Sequence, residues 1–92
     1  MKLHQKGFLL RELARLGKAW DDELLRNACD EYGRTSRMHA ASVRIALDEL
    51  AAGGLICAVD EVLDDAPGRT GRLRFNYRLT DFGRQRMLDT GL

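Results

Sequence analysis

Between Ser42 and Arg84 two patterns follow one another in a way that leaves few folds open. The first, SVRIALDELAAGGLI, has apolar residues at helical spacing, stops at Gly53 and Gly54, and enters an apolar run. The second, RLRFNYRLTDFGR, alternates strictly. Leu73, Phe75, Tyr77 and Leu79 fall on one face of a strand, and Arg72, Arg74, Asn76 and Arg78 fall on the other. Alternation with a period of two marks a half-buried strand, and apolar residues at i, i+3, i+4 and i+7 mark an amphipathic helix. The chain must turn from a helix into a hairpin and back into a helix, with arginines on the hairpin's outer face.

The rest of the chain supplies what such a hairpin would lean on. Leu9, Leu10, Leu13 and Leu16 recur at helical spacing and predict a first helix over 6–16, ended by Gly17. A second helix is expected to start at Asp21 or Asp22, whose carboxylates suit free N–H groups and the positive end of the dipole. Leu24, Leu25, Ala28 and Cys29 form its buried stripe, and Gly33 is its C′ residue. The third helix is expected over about 36–53, capped by Ser36 or Thr35, with Val43, Ala46, Leu47 and Leu50 turned inward. Arg37, Ala41, Arg44, Ile45 and Asp48 lie on its opposite face. The wing is expected over about 55–80. Its first strand should carry Leu55, Cys57 and Val59 on one face, and the turn-forming string DDAPGRTG should make its loop. Thr80 should cap a last helix whose Phe82 and Met87 return to the core. The fold class is α+β, mainly α: three helices, a two-stranded antiparallel wing and a short C-terminal helix.

Ninety-two residues make one domain with a modest core, since a chain this short buries only about two-thirds of its unfolded surface. Its 45% apolar and 32% charged residues suit a folded protein. No apolar run approaches a membrane span, and the amino terminus lacks a secretory apolar stretch, so no membrane association is expected. Cys29 and Cys57 read as small buried hydrophobes rather than a disulfide, which fits a reducing cytoplasm. A net charge of +1 says little, so the distribution of charge carries the argument. From Tyr32 to Leu47 there are three arginines, one histidine and no acid, and from Ala66 to Thr80 there are four arginines and no acid. Two acid-free windows, one at a helix start and one in a hairpin, are what an edge facing DNA requires.

The two strings resemble those of the winged-helix transcription regulators of bacteria and archaea, the broad MarR-, PadR- and GntR-like group. SVRIALDELAAGGLI is similar to their recognition-helix pattern, and YRLTDFGRQRM to their wing exit. The likeness covers roughly Trp20 to Met87 and implies a sequence-specific DNA-binding regulator with the third helix in the major groove. The sequence stops a few residues past the wing exit, where many such regulators continue into further helices. An effector pocket and a long dimerisation helix are therefore not expected within it.

For double-stranded DNA as partner, the candidate site residues are Arg34, Thr35, Ser36, Arg37, Ala41, Ser42, Arg44, Arg69, Arg72, Arg74 and Arg78. Arg37 and Arg44 stand two helical turns apart, and a guanidinium can make a bidentate pair with guanine. The small Ala41 between them lets the helix approach closely. Thr35, Ser36 and Ser42 suit phosphate oxygens, although Ser36 also suits a cap. Ile45 is open to three uses: a thymine methyl, packing under the wing, or a dimer patch. Alternate strand residues are about 7 Å apart, near the spacing of phosphates, so Arg72, Arg74 and Arg78 can track a backbone while Arg69 enters the minor groove. The competing reading is a solvated face balanced by Asp60, Glu61, Asp64 and Asp65.

No enzyme, cofactor or metal is expected. His4 and His39 lack partners at metal-ligand spacing, no phosphate-binding glycine loop or nucleophile elbow is present, and Cys29 beside Asp30 and Glu31 lacks an activating positive environment. No small-molecule ligand is evident. A twofold homodimer is the expected oligomer, with Phe8, Leu88 and Leu92 as its seam. The alternative function is a winged-helix module that docks on a protein and never touches DNA, marked by Met38 and Ile45 in an exposed apolar patch. A third is a domain of a mobile-element or replication assembly.

Overall fold

The alternating segment forms the central strand of a three-stranded antiparallel sheet. The computed structural model describes residues 4–33, 37–64 and 71–92. Along the chain run α1 (Gln5–Leu16), β1 (Lys18–Trp20), α2 (Asp21–Tyr32), α3 (Arg37–Ala52), β2 (Ile56–Asp64), β3 (Arg72–Leu79) and α4 (Asp81–Thr90). The sheet order is β1-β3-β2. Leu9, Leu13, Leu24, Val43, Leu47, Ile56 and Leu79 are its most deeply buried large side chains, drawn from α1, α2, α3, β2 and β3. The result is a mostly helical α+β domain in a winged-helix-like arrangement. No helix of the described residues is long and apolar enough to cross a membrane.

α3 is the helix that the spacing predicts. Val43, Ala46, Leu47 and Leu50 are all buried. Its end is a Schellman cap: Leu55 N–H donates to Leu50 O at 3.0 Å and Gly54 N–H to Ala51 O at 3.0 Å. Gly54 takes φ 79°, which glycine adopts without strain.

The return from the wing into α4 is fastened to that cap. The Thr80 hydroxyl donates to Gly54 O at 2.6 Å and accepts from Gly83 N–H at 2.9 Å, and Thr80 N–H donates to Leu55 O at 3.1 Å. The approach is so close that a Cβ on Gly83 would collide with the Leu55 carbonyl oxygen. The Leu-Thr-x-x-Gly spacing thus has a local cause: threonine caps α4, and the glycine three residues on lets its first turn lie against the end of α3.

The structure corrects the sequence on five points. The sheet has a third strand, β1, pairing Lys18 with Arg78, Ala19 with Tyr77 and Trp20 with Asn76. β2 does not keep Leu55, Cys57 and Val59 on one regular face: Cys57 lies opposite Arg78, and Val59 falls at an irregularity in the strand. It buries Ile56 opposite Leu79, while Leu55 is half-buried and Val59 exposed. A bulge between Ala58 and Asp60 shifts the phase, so that Glu61 and Leu63 join the face of Phe75 and Leu73. Asn76, expected on the outer face, is buried between Trp20 and Asp60 on the flanking strands. Phe82 is 53% exposed, because Gly83 and Met87 are the α4 residues turned inward. The residues expected at a dimer seam are not equally spare: Leu88 is 73% exposed, whereas Phe8, edge-on to Tyr32 with centroids 5.8 Å apart, and Leu92 are partly buried against the core.

Candidate nucleic-acid interface

Two elements frame the site. α3 presents Ala41, Ile45 and Asp48 outward, and β3 presents Leu73, Phe75 and Tyr77 toward α3. An open groove of about 200 Å³ lies between them, lined by Asp21, Arg44, Leu47, Asp48, Phe75 and Tyr77 among others. Burial pushes the Tyr77 hydroxyl above its ordinary pKa, and the carboxylates of Asp48 and Asp21 add to the effect.

The place of Asp21 in this groove follows from β1. Its pairing with β3 brings the first turn of α2 against the edge of β3. There Asp21, 5% exposed, accepts the Asp22 N–H at 2.7 Å and the Phe75 N–H at 3.4 Å, continuing the β1–β3 ladder with a side chain. Arg44 reaches from α3 to the same acids: Nη2 lies 3.5 Å from Asp22 Oδ1 and Nη1 lies 3.9 Å from Asp21 Oδ2. Arg74 comes from the sheet: its Nε lies 2.9 Å from Asp22 Oδ2, with an N–H that does not point at the oxygen, and its guanidinium carbon sits 5.3 Å from the Trp20 ring centroid. Two carboxylates, two guanidinium groups and an indole thus meet where α2, α3 and the sheet converge.

The sequence-predicted residues separate accordingly. Arg44 and Arg74 are brought together, each about one-third exposed. Ala41 is exposed on α3 as expected. Ser42 is engaged elsewhere, its hydroxyl donating to Gln5 Oε1 at 3.1 Å. Arg78 is exposed, but it pairs with Lys18 at the end of β3 far from the hairpin tip, on the face opposite Tyr77. Arg72 and Arg78 are six residues apart along β3, about 20 Å, with buried Asn76 between them, so the outer face is no unbroken arginine row. For Arg37 and Arg72 only the backbone is described, within α3 and β3; Arg34, Thr35, Ser36 and Arg69 lie outside the described residues.

Three residues of the cluster escaped sequence reasoning. Asp21 and Asp22 read as a helix start, which they also are, and Trp20 gave no signal. Only the pairing of β1 with β3 makes them neighbours of Arg44 and Arg74. Along the outer face of α3, Met38 is 84% exposed and Ile45 56%, with Ala41 between them, so the helix shows the groove's surroundings an apolar stripe. Among the described residues no three His, Cys, Asp or Glu side chains gather as a metal site. Comparison with known protein families, with characterised proteins and with solved structures finds no match to this chain.

Proposed function

We propose that this protein binds double-stranded DNA as a sequence-specific transcription regulator, with the first turns of α3 toward the major groove and the distal wing on the phosphate backbone. The observation that carries the reading is the distribution of charge over the winged-helix-like frame. The acid-free run from Tyr32 to Leu47 covers the beginning of α3, and Asp48 and Glu49 appear only in its later turns. The second acid-free run, from Ala66 to Thr80, takes in the whole of β3. The N-terminal end of α3, where the helix dipole is positive, therefore opens on Arg37, with Arg34 three positions earlier in the sequence, and β3 opens on Arg72, with Arg69 three positions earlier. Arg44 and Arg74 stand between the two, already facing carboxylates. Arg78 and Lys18 lie at the base of the sheet and are not assigned to the groove.

The test is a fluorescence-anisotropy titration of the intact chain with duplex from its own upstream region, beside a scrambled duplex, at two salt concentrations. With about four phosphate contacts, binding falls on the order of a hundredfold between about 50 and 200 mM salt. Absence of binding to any duplex at the lower salt would overturn the reading.

A second reading has its own observation. The exposed apolar stripe of Met38, Ala41 and Ile45 suits a protein partner better than a phosphate backbone. Under it, replacing Met38 and Ile45 with serine leaves DNA out of account and removes the partner. Under the DNA reading the same variant loses thymine discrimination and keeps its salt dependence.

A further inference from the structure

We propose that Asp21 and Asp22 act as an internal counter-ion that DNA phosphate must displace, so that the start of α2 restrains binding at the groove between α3 and the wing. The inference rests on the DNA reading and concerns the regulation of that same site.

The acids are the fixed side of the contact. Both stand in the first turn of α2, where the helix dipole favours negative charge. Asp21 is buried and holds two backbone N–H groups, so its carboxylate stays when the arginines leave. The arginines are the exchangeable side, Arg44 more readily than Arg74, whose guanidinium also lies over Trp20. Each is a long side chain arriving from a different element, Arg44 from α3 and Arg74 from β3, and each keeps about a third of its surface in water. The contacts that Arg44 makes, at 3.5 and 3.9 Å, are long for a charge-assisted pair. Partly exposed ion pairs of this kind stabilise a fold only slightly, and a phosphate row can take their place.

The consequence is electrostatic. If both arginines turn to phosphate, Asp21 stays in the groove with Asp48 on its wall, and Asp22 stays next to Asp21 in the first turn of α2. Carboxylates left facing phosphate oppose binding. A duplex that engages only these two arginines gains little, whereas one that also satisfies the start of α3 overcomes the opposition. The pair of acids thus lowers affinity for DNA in general and widens the gap between fitting and non-fitting sites.

The experiment measures salt-dependent binding of scrambled duplex by the full chain, as wild type, Asp22→Asn and Glu23→Gln. Asp22→Asn keeps the side-chain shape and leaves Asp21 in place. Glu23→Gln removes a charge from the same turn but from a residue that does not pair with Arg44 or Arg74. The proposal expects Asp22→Asn to bind about tenfold more tightly at low salt, with a log–log salt slope steeper by about one, and Glu23→Gln to change affinity less than about twofold. Thermal melting runs alongside, because a purely structural tie predicts lower stability with unchanged or weaker binding, and that outcome overturns the proposal. Equal gains in the two variants also overturn it, by making the effect one of net charge. If the asparagine variant melts below assay temperature, Asp22→Ser, which keeps a helix-initiating side chain, takes its place with the same expectations. If wild type binds duplex and Asp22→Asn does not bind more tightly, the restraint fails and the DNA reading stands. If neither protein binds any duplex, the DNA reading fails and the restraint with it.

Discussion

The two ends of the wing differ although they are built from one alternating pattern. At the base, Ile56, Tyr77 and Leu79 are buried against the helices, and Thr80 fastens the exit to the end of α3. Toward the tip, Leu63 and Leu73 stand opposite one another with 55% and 48% of their surface exposed, and Val62 on the other face has 46%. Leu73 and Leu79 share a face of one strand. Alternation fixes the face a side chain joins, and the depth of core beneath it fixes how much that side chain stabilises.

The sharpest way to break this comparison is a pair of truncations on that shared face. Leu79→Ala empties a fully buried site and should destabilise by about 3 kcal/mol; Leu73→Ala at the half-exposed site should cost under about 1 kcal/mol. Urea denaturation of both variants reads the difference, and similar losses would mean that the tip is as well supported as the base. Gly83→Ala tests the fastening itself. A methyl group directed at the Leu55 carbonyl forces α4 away from the end of α3 and should destabilise by about 2 kcal/mol, seen as a lower urea midpoint. A neutral result would show that α4 can shift freely.

The smallest expected effect is in alkali. Burial raises the Tyr77 hydroxyl above its ordinary pKa, so its contribution is intact below the unfolded value of about 10 and is lost as pH rises through the higher folded value. Stability should fall from pH 9 to pH 11, taken as roughly spanning that value, and Tyr77→Phe should reduce the fall. Tyr32, also raised by burial, accounts for part of what remains. An unchanged profile in Tyr77→Phe would place the alkaline sensitivity elsewhere.

Much of the frame was legible in the chain. α3 was, because sixteen residues give Val43, Ala46, Leu47 and Leu50 room to declare a period. The wing exit was, because Thr80 and Gly83 are residue types that a cap and a close approach require. β1 was not: Lys18, Ala19 and Trp20 are too few to show alternation, and they are extended because β3 offers them an edge. The phase of β2 was not, because the bulge at Val59 adds a residue that periodicity counts as ordinary. The candidate site was legible in its cations and silent about their partners. Arg44 and Arg74 can be named from spacing, but Asp21 and Asp22 become their neighbours only once three distant segments have met.

The same bulge has a bearing on how this protein behaves in a crowd of its own copies. β2 has β3 on one side only, and its other side presents backbone groups next to the exposed apolar side chains of Val59, Val62 and Leu63. A flat strand of that composition would recruit a neighbour's strand and grow a sheet from molecule to molecule. The extra residue at Val59 breaks the hydrogen-bonding register such a neighbour would follow, and a twofold antiparallel pairing centred on Asp60 and Glu61 would set carboxylate against carboxylate. The interruption that hides β2's facing from a reader of the sequence is thus also a feature that works against sheet growth along this edge.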